Sequence, residues 1–130
     1  MLYLYAFFPP KLDGDVWTQA ASAPVPLAKL FPESETLCIQ SPYGFPEEME
    51  AALGTKVERL TMLDNEGLAI WWLFDKDKKV QKKLTVLERK GVYDGTGLRD
   101  CHAVSTQCLI ISEKKPEYSR YRFEACRQNN

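Results

Sequence analysis

Apolar and polar residues alternate with a period of about two through the middle of the chain, a pattern typical of half-buried β-strands. Residues 57–63 (VERLTML) and 68–75 (LAIWWLFD) flank a polar turn that contains Gly67. They predict a β-hairpin, because glycine in a short polar connection favours a tight turn between strands. A second polar turn at 75–79 leads into 80–90 (VQKKLTVLERK), which predicts a third strand of the same meander.

Four further segments have the apolar, β-branched and aromatic composition that favours strands. They are residues 1–8, 36–40 (TLCIQ), 104–112 (VSTQCLIIS) and 118–126 (YSRYRFEAC). The segment at 1–8 ends at a Pro-Pro pair, and we interpret it as a buried strand and not as a secretion signal, because no basic residue precedes it and no small-residue cleavage site follows.

The clearest helix signal is PEEMEAALG at 46–54. Pro46 suits the first position of a helix, the acids after it suit the positive end of the helix dipole, and Gly54 suits the stop. The apolar face of this helix is formed by Phe45, Met49, Ala52 and Leu53.

A shorter helix is predicted over 16–21, with Asp13 or Asp15 as its cap, and a helical turn over 27–31. Together these elements predict an α+β fold with a largely antiparallel sheet of about five or six strands, including the meander around 56–90, packed by one or two short helices. No repeat or linker divides the sequence, so we expect residues 1–130 to form a single globular domain.

The composition is that of a globular protein, with 45% hydrophobic and 27% charged residues. No apolar run approaches the roughly 20 residues that span a bilayer, so we expect no membrane association. Without an export signal we predict a cytoplasmic location, and in a reducing cytosol the four cysteines are expected to be free thiols. Their spacing lacks the close pairs of a zinc site, and we predict neither a metal nor a cofactor.

Charge is divided along the sequence although the net charge is only −1. Residues 1–55 contain seven acids and two lysines, whereas residues 76–90 contain seven basic residues and two acids. The basic residues of 76–90 are Lys76, Lys78, Lys79, Lys82, Lys83, Arg89 and Lys90. Such a band either protects an edge strand from aggregation or steers a complementary partner. Nucleic acid is the less favoured partner, because no aromatic residues are interleaved with the lysines.

Aromatic residues give a second candidate surface. Trp71 and Trp72 are adjacent on a predicted strand and must point to opposite faces, so one of them becomes a binding hot-spot candidate if no helix covers its side of the sheet. Tyr118, Arg120 and Arg122 share one face of the last predicted strand, and a Tyr/Arg face is a composition enriched at protein interfaces.

The stretch YDGTGLRDCHAVSTQC at 93–108 is a candidate for chemistry, because it contains the single histidine of the chain. In an extended chain Cys101 and His102 point to opposite faces, so they cannot form a thiolate–imidazole pair with each other. We interpret the stretch as a turn entering a strand. The alternative is a small enzyme or ligand site that uses His102 with Cys101, Cys108 or a carboxylate.

The absence of a catalytic motif and the division of charge favour a protein-binding domain without catalytic activity. Its most specific form is a bacterial immunity-type inhibitor that neutralises a toxin or effector through a charged and aromatic surface. The predicted contact residues are Glu47, Glu48, Glu50, Trp72, Lys78, Lys79, Lys82, Lys83, Tyr118, Arg120 and Arg122. A nucleic-acid binder that uses the 76–90 band is a weaker alternative.

Overall fold

The computed structural model describes residues 10–41, 46–58, 60, 67–94 and 101–127. Within these ranges the chain forms three helices and eight strands. The helices are α1 (Asp15–Ser22), α2 (Leu27–Leu30) and α3 (Pro46–Leu53). The strands are β1 (Val25–Pro26), β2 (Thr36–Gln40), β3 (Leu68–Phe74), β4 (Val80–Leu87), β5 (Gly91–Tyr93), β6 (Cys101–Ala103), β7 (Gln107–Lys114) and β8 (Ser119–Ala125).

The strands form two four-stranded sheets. The first sheet has the order β4-β3-β2-β6 and is antiparallel, and the second has the order β1-β7-β8-β5 with a parallel pairing between β5 and β8. The chain passes from the first sheet to the second through a short turn at 88–90 between β4 and β5. Strand β4 lies at the end of the described first sheet, where Lys11 adds a single bridge to Thr85.

The main hydrophobic core lies between the two sheets and is closed by α1 and α2. Trp71 of β3 and Tyr121 of β8 are both fully buried, and the Trp71 indole N–H donates a 3.0 Å hydrogen bond to the Tyr121 hydroxyl. Burial raises the pKa of Tyr121, so this hydroxyl stays neutral. Trp17 of α1 packs against both rings, and a Cβ at Gly91 would lie 2.5 Å from the Trp17 ring, so glycine is needed for this close approach.

A second, smaller core lies on the outer face of the first sheet beneath α3. Met49 and Leu53 of α3 pack with Trp72, Phe74 and Cys38 of the sheet. The layers are therefore α3, the first sheet and the second sheet. No helix in the described ranges is long and apolar enough to cross a bilayer.

The structure confirms the predicted α+β class, the strand at 36–40 and the three helical segments. Helix α3 ends at Leu53, and Gly54 follows with φ +90, the left-handed conformation that glycine adopts readily at a helix end. The side chains of Asp13 and Asp15 do not cap α1 as predicted, since Gly14 is at the cap position; Asp13 Oδ1 instead accepts the Asp15 N–H.

The predicted number of strands and sheets needs correction. Eight strands in two sheets replace the single sheet of five or six, because the short β1, β5 and β6 have too few residues for a visible alternation. The described residues of 57–63 are not in a strand, and the partners of β3 are β4 and β2. Residues 104–106 form a turn between β6 and β7. The strand predicted at 1–8 and the turn predicted to start the 93–108 stretch lie largely outside the described residues.

All four cysteines form disulfides, so the expectation of free thiols is wrong. Cys38 and Cys101 are directly opposed on β2 and β6 and are bonded to each other, and Cys108 is bonded to Cys126. The two members of each pair are 63 and 18 residues apart in sequence, respectively. The spacing did not reveal them because strand pairing, and not sequence proximity, brings these sulfur atoms together.

Candidate functional site

The 76–90 basic band does not form a single surface. Lys83 lies on the outer face of the first sheet with Trp72, whereas Lys82 lines a different groove together with Phe31. Arg89 and Lys90 border a third groove, beside Trp17. Within β4 the band is divided because neighbouring residues point to opposite sides of the sheet, whereas Arg89 and Lys90 lie beyond β4 in the turn at 88–90.

A groove on the outer face of the first sheet has a volume of about 640 Å³. We call it the lysine groove. Its lining residues are Lys56, Val57, Glu58, Trp72, Lys78, Lys79, Val80 and Lys83. It therefore contains three of the four lysines predicted as contacts, together with the predicted tryptophan.

Trp72 forms the floor of the groove. Its side chain is buried, its indole N–H donates a 2.9 Å hydrogen bond to Gln40 Oε1, and its ring is stacked with Phe74. The Lys83 ammonium lies 4.8 Å from the ring centroid, within cation–π range. The condition under which Trp72 would be an exposed hot spot is not met, because α3 and the segment after it cover this side of the sheet.

The turn between β3 and β4 fixes two of the lysines. Asp75 Oδ1 accepts the N–H groups of Asp77 and Lys79, and the backbone of Asp75 is bonded to both Lys78 and Lys79. Lys78 has φ 64, a left-handed conformation that is uncommon outside glycine. This network gives the Asp75 carboxylate a local structural role and holds the two lysine backbones at the rim of the groove.

The opposite wall of the groove is the segment that follows α3. The Glu50 carboxylate accepts the Val57 N–H, and the Glu50 carbonyl accepts the N–H groups of Gly54 and Thr55. Val57 is buried in the smaller core, so this segment is held at both of its ends. Glu50 thus has an internal structural role, although the sequence suggested a contact with a partner.

The C-terminal end of α3 meets the Lys78 side chain. A Cβ placed on Gly54 would lie 3.0 Å from Lys78 Nζ, so the ammonium lies against the glycine that ends the helix. The C-terminal end of a helix carries partial negative charge from its carbonyl groups and favours a cation there. Lys78 and Lys83 are therefore both placed by the fold, one by a helix end and one by an aromatic ring.

The groove carries uncompensated positive charge. Four lysines and one glutamate line it, a local excess of three positive charges. In the described ranges, none of these four ammonium groups has a carboxylate within 4 Å. The four ion pairs found elsewhere involve Lys115, Arg120 and Arg122. Lysines outside the groove, such as Lys11 and Lys29, are also unpaired in the described ranges, so the groove is distinguished by the convergence of its four lysines.

The other acidic candidates lie at the far end of α3. Glu47 and Glu48 are exposed in its first turn, about 10 Å along the helix axis from Gly54. They do not line the lysine groove.

Arg120 and Arg122 lie on the outer side of β8, and Tyr118 directly precedes this strand; we call the three residues the arginine face. The alternation predicted for this strand is confirmed, since Tyr121 and Phe123 are buried on its inner side. Arg122 Nε donates a 2.6 Å hydrogen bond to Glu124 Oε1, and Arg120 lies within 4 Å of both Asp94 and Glu113.

The charges beside the arginine face are also paired. Lys115 is hydrogen bonded to Glu113 at 2.5 Å and lowers the pKa of that carboxyl. The Arg120 Nε atom is buried without a hydrogen-bond partner, and its 4.0 Å separation from Glu113 gives attraction without a hydrogen bond. Each arginine of this face therefore has an acid of the chain nearby.

His102 lies between the two sheets. Its Nε2 atom is 3.0 Å from the Tyr93 hydroxyl, and its ring centroid is 4.7 Å from that of Phe123. Burial lowers the pKa of His102, which favours the neutral imidazole. Cys101 lies on the opposite face of β6, as predicted, and both Cys101 and Cys108 are in disulfides. A thiolate site at His102 is therefore wrong.

Sequence reasoning missed four residues of the lysine groove: Lys56, Val57, Glu58 and Val80. Val57 and Glu58 begin the strand predicted at 57–63 and Lys56 directly precedes it, and no sequence signal shows that α3 returns this segment to the β3–β4 turn. Gly54 indicates that the chain turns, but the direction of the turn is set by the burial of Val57.

Comparison with known proteins adds no relative: no protein-family model, curated protein or solved structure matches this chain.

Proposed function

We propose that this protein is a non-catalytic binding domain that holds an acidic surface of another protein in its lysine groove. The observation that carries the proposal is the convergence of Lys56, Lys78, Lys79 and Lys83 around one groove, without a paired carboxylate within the described ranges. Converging like charges disfavour the free state slightly and attract a partner of opposite charge, which raises the association rate and selects the partner.

The more specific form of the proposal is a stoichiometric inhibitor of the immunity type, which blocks a toxin or effector by covering an acidic part of it. The support for inhibition is the same convergence of cations. Covering a partner surface needs a preformed patch, and this groove has a floor and two walls that are fixed by hydrogen bonds.

The two disulfides bear on where the protein acts. Disulfides persist in oxidising environments such as the periplasm, the endoplasmic reticulum lumen and the extracellular space, and are rare in the cytosol. We therefore place the binding activity in an oxidising compartment and not in the cytoplasm predicted from the sequence. Titration of free thiols in the unmodified protein after denaturation tests this placement. No reactive thiol is expected, and four reactive thiols would support the cytoplasmic prediction instead.

The binding proposal is tested with a fluorescent peptide of about ten residues in which glutamate and serine alternate, by anisotropy at about 20 mM salt, where surface electrostatics is little screened. The double variant Lys79→Glu/Lys83→Glu is expected to weaken binding at least about tenfold, because two attractions become repulsions. The matched control is Lys29→Glu/Lys114→Glu, which changes the net charge equally at exposed positions outside the groove.

Unchanged affinity in the control and a large loss in the groove variant support the proposal. Equal losses in both variants would show that only net charge matters, and no binding by the unmodified protein at low salt would also overturn the proposal. A thermal melt of each variant separates lost affinity from lost structure.

A further inference from the structure

The lysine groove contains an apolar element that an exclusively electrostatic site does not need. Val80 opens β4 and is 42% exposed, whereas the other large aliphatic side chains of β4 are largely buried. Single exposed apolar residues are common on protein surfaces, so exposure alone carries no meaning. The position of Val80 is informative, because it follows Lys79 directly and lines the groove together with Val57 and Trp72.

The cations around Val80 are held at fixed points. Lys83 lies over the Trp72 ring, and Lys78 lies against Gly54 at the end of α3. A ligand that meets preplaced ammonium groups loses less side-chain entropy on binding than one that must order free lysines. Carboxylates of a bound segment can therefore pair with cations on both sides of the apolar surface.

The aromatic floor argues against single-stranded nucleic acid as the occupant. Sequence-independent binding of single strands relies on bases stacking on exposed aromatic rings. Trp72 is 5% exposed, Lys83 lies over its ring, and Phe74 is stacked beside it at 12° between ring planes. A nucleobase in this groove would meet cations but no exposed aromatic ring on which to stack.

We infer that the occupant of the lysine groove is a short acidic segment of a partner protein in which an aliphatic side chain stands between carboxylates. The carboxylates contact the lysines, and the aliphatic side chain covers Val80. This inference rests on the proposed function and adds the chemistry of the segment.

The test compares two labelled peptides of about ten residues with equal charge, one alternating glutamate with serine and one alternating glutamate with leucine. The leucine peptide is expected to bind about fivefold more tightly, which is the effect of burying about one methylene group. Val80→Thr keeps the branched shape and the strand preference of valine but replaces a methyl with a hydroxyl. It is expected to abolish this advantage, so that the variant binds the two peptides with similar affinity.

The other possible outcomes contradict either the apolar contact or the proposed function. Equal affinities for the two peptides, both sensitive to Lys79→Glu, would overturn the apolar contact and leave the proposed function intact. A leucine advantage that survives Val80→Thr would place the contact elsewhere and overturn the inference. If a single-stranded oligonucleotide of equal charge binds more tightly than either peptide and is displaced by neither, the groove is a nucleic-acid site and the proposed function fails as well.

Discussion

The lysine groove and the arginine face both present cations to solvent, but they differ in what surrounds those cations. Arg120 and Arg122 lie on an open sheet face, each with an acid of the chain within 4 Å. The lysines of the groove converge around a buried tryptophan and lack such acids in the part of the chain that the structure describes. A cation that is already paired with an acid of its own chain attracts a partner only weakly. For binding, the arrangement of the basic residues therefore matters more than their number.

The largest expected contrast is in stability. Trp72→Ala removes the floor of the lysine groove and a central member of the smaller core, and is expected to lower the free energy of unfolding by about 3–5 kcal/mol. Arg122→Ala breaks an exposed pair with Glu124 and is expected to cost less than about 1 kcal/mol. Urea unfolding of both variants measures the difference.

A small loss of unfolding free energy in Trp72→Ala would contradict the comparison, because the Trp72 side chain would then contribute little to the stability of the fold. A large loss for Arg122→Ala would show that the arginine face is a structural element and not a simple exposed surface.

The disulfides give a smaller contrast, since one lies beneath each surface. Cys38–Cys101 belongs to the core under α3, and Cys108 is opposite Glu124 on the side of β8 that carries Arg122. The pairs are 63 and 18 residues apart, and in the loop-entropy model their removal costs about 4 and about 3 kcal/mol.

The measurement is urea unfolding of Cys38→Ala/Cys101→Ala and Cys108→Ala/Cys126→Ala without reductant. A reductant should lower the stability of the unmodified protein and leave each double variant sensitive only through its remaining disulfide. No effect of reductant on the unmodified protein would contradict the prediction.

The smallest expected effect is that of pH on stability, and it arises from His102 in the core between the two sheets. Burial lowers the pKa of His102, so the unfolded chain binds a proton more readily than the folded one. Stability is therefore full above the unfolded value of about 6.5 and falls as the pH drops below it toward the lower folded pKa.

Unfolding midpoints at about pH 5 and about pH 7.5 measure this loss. His102→Gln keeps a group that can bond to the Tyr93 hydroxyl and is expected to reduce the pH dependence, while peptide binding to the lysine groove stays unchanged. A pH dependence that is the same in His102→Gln would assign it to other groups.

The sequence by itself determined the α+β class, the limits of α3 and the opposite orientation of Trp71 and Trp72. Each of these follows from local rules: Pro46 and Gly54 suit the two ends of a helix, and side chains alternate along a strand. The sequence also identified Lys78, Lys79 and Lys83 as candidate contacts, because their charge is visible without a fold.

Only the tertiary structure decided which lysines belong together, which cysteines pair and what Glu50 does. Lys56 lines the lysine groove because Val57 is buried and the Glu50 carboxylate accepts the Val57 N–H. Lys82 does not line it, because its side chain points to the other side of β4. The sulfur atoms of Cys38 and Cys101 meet only through the pairing of β2 with β6. Contacts between residues distant in sequence depend on the packing of whole elements, and local sequence rules do not encode that packing.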